Sequence, residues 1–109
     1  MDILFASEDL EALCLNERKQ TRELGSPGAR KLRARLADLA AAANVGALVA
    51  GRPHPLVGDL AGKFAVDLDG GRRLVFEPAD NPVPCTDSGA IDWPAVRSIR
   101  ITYIGNYHD

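Results

Sequence analysis

Lys63-Phe64-Ala65-Val66-Asp67-Leu68-Asp69-Gly70-Gly71-Arg72-Arg73-Leu74-Val75-Phe76-Glu77-Pro78 is the stretch that decides the fold. Phe64, Val66 and Leu68 alternate with Ala65, Asp67 and Asp69, the period of two that marks a half-buried strand. Asp69-Gly70-Gly71 then signals a tight turn, and a return strand runs over 72–77 until Pro78 stops it. The pattern predicts a hairpin that buries Phe64, Val66, Leu68, Leu74 and Phe76. Asp67, Arg73 and Glu77 fall on the opposite, freer face.

Beyond the hairpin, residues 79–97 contain Pro82, Pro84 and Pro94 and predict a long irregular excursion. Within it, Asp92-Trp93-Pro94 predicts a short capped helical turn. A last strand over 98–104 places Ile99, Ile101 and Tyr103 on one face, with Arg100 and Thr102 on the freer one. Before the hairpin, residues 44–62 are rich in Gly, Pro and Ala and predict no long element, only a helical turn near 45–49. Further upstream the period becomes 3.6. Leu32, Leu36, Leu39 and Ala43, at spacings of 4, 3 and 4, predict a helix over 28–43. Ser26-Pro27 is its N-cap and first-turn proline, and Gly25 ends an earlier helix. That earlier helix is predicted over 8–24, with Leu10, Leu13, Glu17 and Leu24 near one face. Ser7 precedes Glu8, Asp9 and Glu11, an N-cap followed by carboxylates. Residues 3–5 predict a short first strand. The expected fold is therefore α+β: two N-terminal helices, an antiparallel pair, packed on one face of a small antiparallel sheet.

At 109 residues the chain supports one core, so 1–109 is expected to form a single domain. No apolar run reaches the roughly 18–20 residues of a membrane span, and the start, Met1-Asp2-Ile3-Leu4-Phe5, lacks the basic region of a secretory signal. Cys14 and Cys85 make neither a disulfide framework nor a metal-ligand spacing, which predicts a reducing cytoplasm. The net charge of −2 excludes a uniformly basic nucleic-acid binder. The charge is divided, however. From Arg18 to Arg35 there are seven basic residues (Arg18, Lys19, Arg22, Arg30, Lys31, Arg33, Arg35) against one acid, Glu23. Such a helical surface reads either as a solvated face or as one that meets RNA or an acidic protein segment.

Chemistry-bearing residues are few. His54 sits in Pro53-His54-Pro55-Leu56, a stiff extended stretch. The second histidine, His108, follows Tyr107 in the closing Gly105-Asn106-Tyr107-His108-Asp109, which composition alone reads as an ordinary terminus. Two histidines, a tyrosine and Arg73 near one face would suit metal-free RNA phosphodiester cleavage. That reaction needs a base for the 2′-hydroxyl, an acid for the leaving 5′-oxygen and a cation for the phosphorane. Asp109 and the α-carboxylate beside His108 would favour its protonated, acid form. Trp93 is expected to plug the excursion onto the domain, and Asp59 to serve as a turn residue.

The run Pro53-His54-Pro55-Leu56-Val57-Gly58-Asp59-Leu60-Ala61-Gly62-Lys63-Phe64, then Arg73-Leu74-Val75-Phe76-Glu77-Pro78, resembles the HigB-type killer toxins of the RelE/ParE superfamily. Asn106-Tyr107-His108 is similar to the Asp-Tyr-His ending of that group. The resemblance implies a microbial-RNase-like α+β fold and a ribosome-dependent endoribonuclease that cuts messenger RNA and arrests translation. It implies no cofactor. Its implied partners are the ribosome, mRNA and a HigA-like antitoxin with a helix-turn-helix domain, through which alone DNA is contacted. His54, Tyr107 and His108 match the family's catalytic positions, Asn106 its terminal aspartate, and Arg73 its phosphate-contacting arginine. Arg18, Lys19, Arg22, Arg30, Lys31, Arg33 and Arg100 are the candidate RNA contacts.

Three departures bear on activity. Asn106 is neutral and cannot act as a base, Val57 stands where many relatives have a basic residue, and Leu60 follows Gly58-Asp59. They leave open a second class, a binding module that keeps the antitoxin interface without efficient cleavage. A third, a gyrase inhibitor of the ParE branch, shares the fold, but it does not need the Tyr-His ending.

Overall fold

A computed structural model of the chain describes residues 1–106. Five strands form one sheet in the order β1-β5-β4-β3-β2: β1 (Asp2–Phe5), β2 (His54–Pro55), β3 (Phe64–Asp67), β4 (Arg73–Pro78) and β5 (Ser98–Gly105). Two helices, α1 (Glu8–Leu15) and α2 (Glu17–Ala41), lie on one side of it. The α+β layering is as expected, with one correction to the sheet. β1 runs parallel to β5, Ile3 opposite Ile99 and Phe5 opposite Ile101, so the sheet is mixed and not purely antiparallel.

The hairpin forms in the register its alternation implies. Val66 faces Leu74 and Phe64 faces Phe76, with the turn closed by Leu68 N–H to the Arg72 carbonyl at 2.9 Å. Phe64, Val66, Leu68, Leu74 and Phe76 pack with Leu13, Leu32, Leu39, Ile99 and Ile101 into a single core. Full burial of each large side chain contributes about 1.5–3 kcal/mol.

The helices depart from the expected bounds. The reading of one helix over 8–24 fails at Asn16, whose backbone is extended (φ −121°, ψ 109°). Its N–H still closes α1 onto Ala12, while its side-chain oxygen accepts from Lys19 N–H at 3.0 Å and so starts α2. Ser7 caps α1 in the same way, accepting from Leu10 N–H at 3.2 Å. The predicted break at Gly25 is present as a sharp bend (φ 75°, ψ 168°) inside α2, with Pro27 just after it. On a straight helix Gln20 and Arg33 would stand about 20 Å apart. Instead Arg33 Nη1 donates to Gln20 Oε1 at 3.1 Å, because the bend folds the two arms together. Gln20 is buried and also donates to the Cys14 carbonyl, tying α1 to both arms. The second arm ends at Ala41, two residues short of the predicted 43.

Arg72 joins the helices to the hairpin. Its guanidinium donates at 3.1 Å to the Leu24 carbonyl, at the bend. Gly28 allows this approach, since a Cβ there would lie 2.9 Å from the Leu24 Cβ and 3.0 Å from Arg72 Nη1. The excursion is more ordered than its prolines predict. Asp80 accepts from the Arg97 and Ser98 N–H groups, Cys85 bridges Ile91, and the Trp93 ring lies 4.8 Å from that of Phe64. Trp93 thus plugs the excursion onto the domain, as expected. No helix among the described residues is long and apolar enough to cross a membrane.

Candidate active site

The helices cover one side of the sheet. The other side carries three transverse rows of residues, set by strand register. In the first, Asp67 on β3, Arg73 on β4 and Gly105 on β5 lie abreast. In the second, His54 on β2, Ala65, Val75 and Tyr103 lie abreast. The third holds Glu77, Arg100 and Leu4, with Lys63 just ahead of β3. The first and third rows stand about 13 Å apart along β4, and His54 is roughly 14 Å from Tyr103 across three strand spacings.

Gly51 (φ 85°) and Arg52 (φ 49°) bring the chain into β2 through two successive left-handed residues, a conformation uncommon for arginine. This turn aims Arg52 at Asp67, with Nε to Oδ2 at 2.9 Å, and brings the Arg52 carbonyl to 2.8 Å from His54 Nδ1. A carbonyl only accepts, so in neutral His54 the proton sits on Nδ1 and Nε2 keeps its lone pair. Arg73 Nε donates to the same Asp67 carboxylate at 3.2 Å. Those bonds hold the Asp67 carboxyl below the usual carboxylate range, the Arg52 hydrogen bond being the largest cause.

The third row repeats the arrangement. Glu77 accepts from Lys63 Nζ at 2.7 Å and from Arg100 Nη1 at 3.0 Å. Its carboxyl is likewise held low, first by the Lys63 hydrogen bond. Four cations thus share the open face with two carboxylates. Between the rows, Ala65 and Val75 are small and buried, and they leave a shallow floor.

Tyr103 is where the alternation misleads. Phe76 pairs with Ile101 but Val75 with Tyr103, so Thr102 is an extra, bulged residue on β5. The bulge sends Tyr103 to the open face, opposite to Ile99 and Ile101, against the expectation that all three share a side. Its ring lies against Gly105, where an added Cβ would come within 2.8 Å of the phenol oxygen and 3.0 Å of Cζ. Leu60, Lys63, Val75, Thr102 and Tyr103 surround a hollow of about 270 Å³.

Of the residues singled out in the sequence, His54, Arg73 and Arg100 come to this face, and Asn106 sits at its corner beside Gly71. Tyr107 and His108 lie outside the described residues. The basic helix residues are not brought to it. Arg18, Arg22, Arg30 and Lys31 are exposed on the helical layer, on the far side of the sheet. Lys19 is 3.9 Å from Glu23, and Arg33 is engaged by Gln20. Sequence reasoning missed Arg52, Lys63 and Tyr103 as site residues. The Gly51-Arg52-Pro53 run was a legible turn signal for Arg52, but nothing local marks Tyr103.

One five-stranded mixed sheet, backed on one side by α1 and the bent α2, defines an α+β fold. Among solved structures, the YoeB/ParE toxin from Agrobacterium tumefaciens superposes with a TM-score of 0.58 at 13% identity, covering 98% of this chain and 99% of that one. The likeness establishes the fold. No protein-family model and no curated protein matches the sequence.

Proposed function

We propose that this protein is the toxin of a type II toxin–antitoxin pair and a ribosome-dependent mRNA endonuclease. The observation that carries the reading is the open sheet face, where His54, with Nε2 available as a base, shares a surface with Arg52, Arg73, Lys63 and Arg100. In the reaction, His54 Nε2 takes the proton of a 2′-hydroxyl. The 2′-oxygen bonds to phosphorus, and the P–O5′ bond breaks. A cyclic 2′,3′-phosphate remains, and His108 gives a proton to the leaving 5′-oxygen. Arg73 stabilises the charge that develops on the phosphoryl oxygens. Tyr107 orients or stacks on a base, and Asn106 orients its neighbours without acting as a base. The HigB-type assignment, the HigA-like antitoxin, contact with DNA only through that antitoxin, and a cytoplasmic location belong to the same proposal.

The test is expression without an antitoxin, with mapping of mRNA ends. Growth arrest with new 5′-hydroxyl ends upholds the reading, and growth with intact mRNA overturns it. A second reading, a binding module of the same fold with weakened cleavage, is favoured by Asp67 and Glu77, which occupy the cations that phosphate would need. It predicts antitoxin binding with unaffected growth.

A further inference from the structure

The Tyr103 hollow is not accounted for by the cleavage chemistry. Strict alternation along β5 would place Tyr103 beside Ile99 and Ile101 in the core, yet the bulge at Thr102 turns it out, and it is 41% exposed. Bulges are used next to functional sites to re-aim a side chain in this way. The hollow beside it is lined by Leu60, Val75, Thr102 and Lys63, with the Thr102 hydroxyl donating to the Val75 carbonyl and the Lys63 ammonium to Glu77. It lies in the middle row, with Arg52 and Arg73 to one side and Lys63 and Arg100 to the other.

An aromatic ring and an apolar floor between two pairs of backbone-reading cations are the elements with which single-stranded nucleic acid is held. Phosphates track the charge, and an unstacked base lies on the π-face. We infer that Tyr103, Leu60, Val75 and Thr102 form a nucleobase subsite for single-stranded RNA, adjoining the scissile position. Gly105 belongs to it as a positioning residue, because only a glycine there leaves room for the Tyr103 ring. The inference rests on reading the open face as an RNA-cleaving surface, and it adds that the face grips a base as well as phosphates.

The test is an NMR titration of the full chain, without ribosomes, using hexaadenylate RNA and an abasic ribose-phosphate hexamer, each to millimolar concentration. The RNA should shift the Val75, Thr102 and Tyr103 amides and bind more tightly than the abasic strand. Tyr103→Ala should weaken the RNA roughly 5- to 150-fold, the range of one base stacked on an aromatic, and leave the abasic strand unchanged. Tyr103→Phe should stay within about twofold, since the phenyl face is kept. Gly105→Ala, which displaces the ring without removing it, should lose part of the gain. Equal binding of the two strands, RNA affinity indifferent to Tyr103→Ala, or no shift at these amides overturns the subsite. So does a response at these amides to hexaglutamate alone, which would assign the hollow to an acidic protein. Cleavage in translation extract, measured alongside, separates the two claims. Base-dependent binding without cleavage keeps the subsite and removes the toxin reading, whereas cleavage with base-independent binding does the reverse.

Discussion

Asp67 accepts from Arg52 and Arg73, and Glu77 from Lys63 and Arg100, so each carboxylate restrains two of the cations that an RNA backbone would seek. Phosphate must compete with a carboxylate for their charge and donors. Glu77→Gln should therefore tighten single-stranded RNA binding and steepen its salt dependence, by about 0.7 in slope for each phosphate newly neutralised. A salt titration of affinity checks this. The same two groups set an acid limb of stability. Both carboxyls titrate below their ordinary range when folded, so the unfolded chain binds more protons near pH 4. Their contribution is fully present above that range and is lost as pH falls through the depressed folded values. Urea melts of Asp67→Asn should show a flatter acid limb, with less than about 1 kcal/mol lost at neutral pH because the pair is partly solvated. The cysteines differ as sharply. Burial pushes the Cys14 thiol up to about 11, whereas Cys85 is exposed. A thiol reagent should modify Cys85 in the native protein and reach Cys14 only on unfolding.

At the scale of elements, Arg72 adds a polar tie between the bent helix and the hairpin to the apolar packing of Leu32 and Leu39. Arg72→Ala removes a charge-assisted bond to the Leu24 carbonyl and should cost about 1–2 kcal/mol, read as a lower urea midpoint with little change in slope. The hairpin itself was legible because Asp69-Gly70-Gly71 and the flanking alternation are local signals. The bend was legible because Gly25 permits a positive φ, Ser26 is a capping residue and Pro27 belongs in the first turn of a new helix. Asn16 was not, since Leu13 and Glu17 keep a helical spacing across it, while the break is held by the Asn16 cap and by Gln20 donating to the Cys14 carbonyl. Tyr103 was hidden for a related reason. A period of two continues unbroken through 99, 101 and 103, and the bulge exists only in the pairing of β5 with β4. Arg73 and Arg100 could be placed on the freer face from alternation alone, whereas His54 lay in a stretch with no strand pattern and reaches that face only through the pairing of β2 with β3. Arg52 could not be placed this way, because its position depends on the loop entering β2, and Lys63 was passed over although the alternation puts it on the face of Ala65 and Asp67.

For the molecule as a whole, the divided charge of the sequence becomes two surfaces. The α2 surface is basic, with seven Lys and Arg against Glu17, Glu23 and Asp38. By contrast α1 is acidic, and the sheet face is mixed, with its cations held by acids. These surfaces have separate roles in the account. Reversing Arg30 and Lys31 to Glu should leave short single-stranded RNA within about twofold, yet weaken ribosome association strongly and in a salt-dependent manner, as sedimentation can measure. The open face is proposed to cut RNA on the ribosome with His54 and Arg73. The most direct measurement is the cleavage rate of a defined mRNA on purified ribosomes, for the wild type and for His54→Ala and Arg73→Ala. The wild type should leave 5′-hydroxyl and cyclic-phosphate ends, and each variant should cleave roughly 10²–10⁴-fold more slowly. Intact mRNA with the wild type, or cleavage undiminished in both variants, would contradict the proposal.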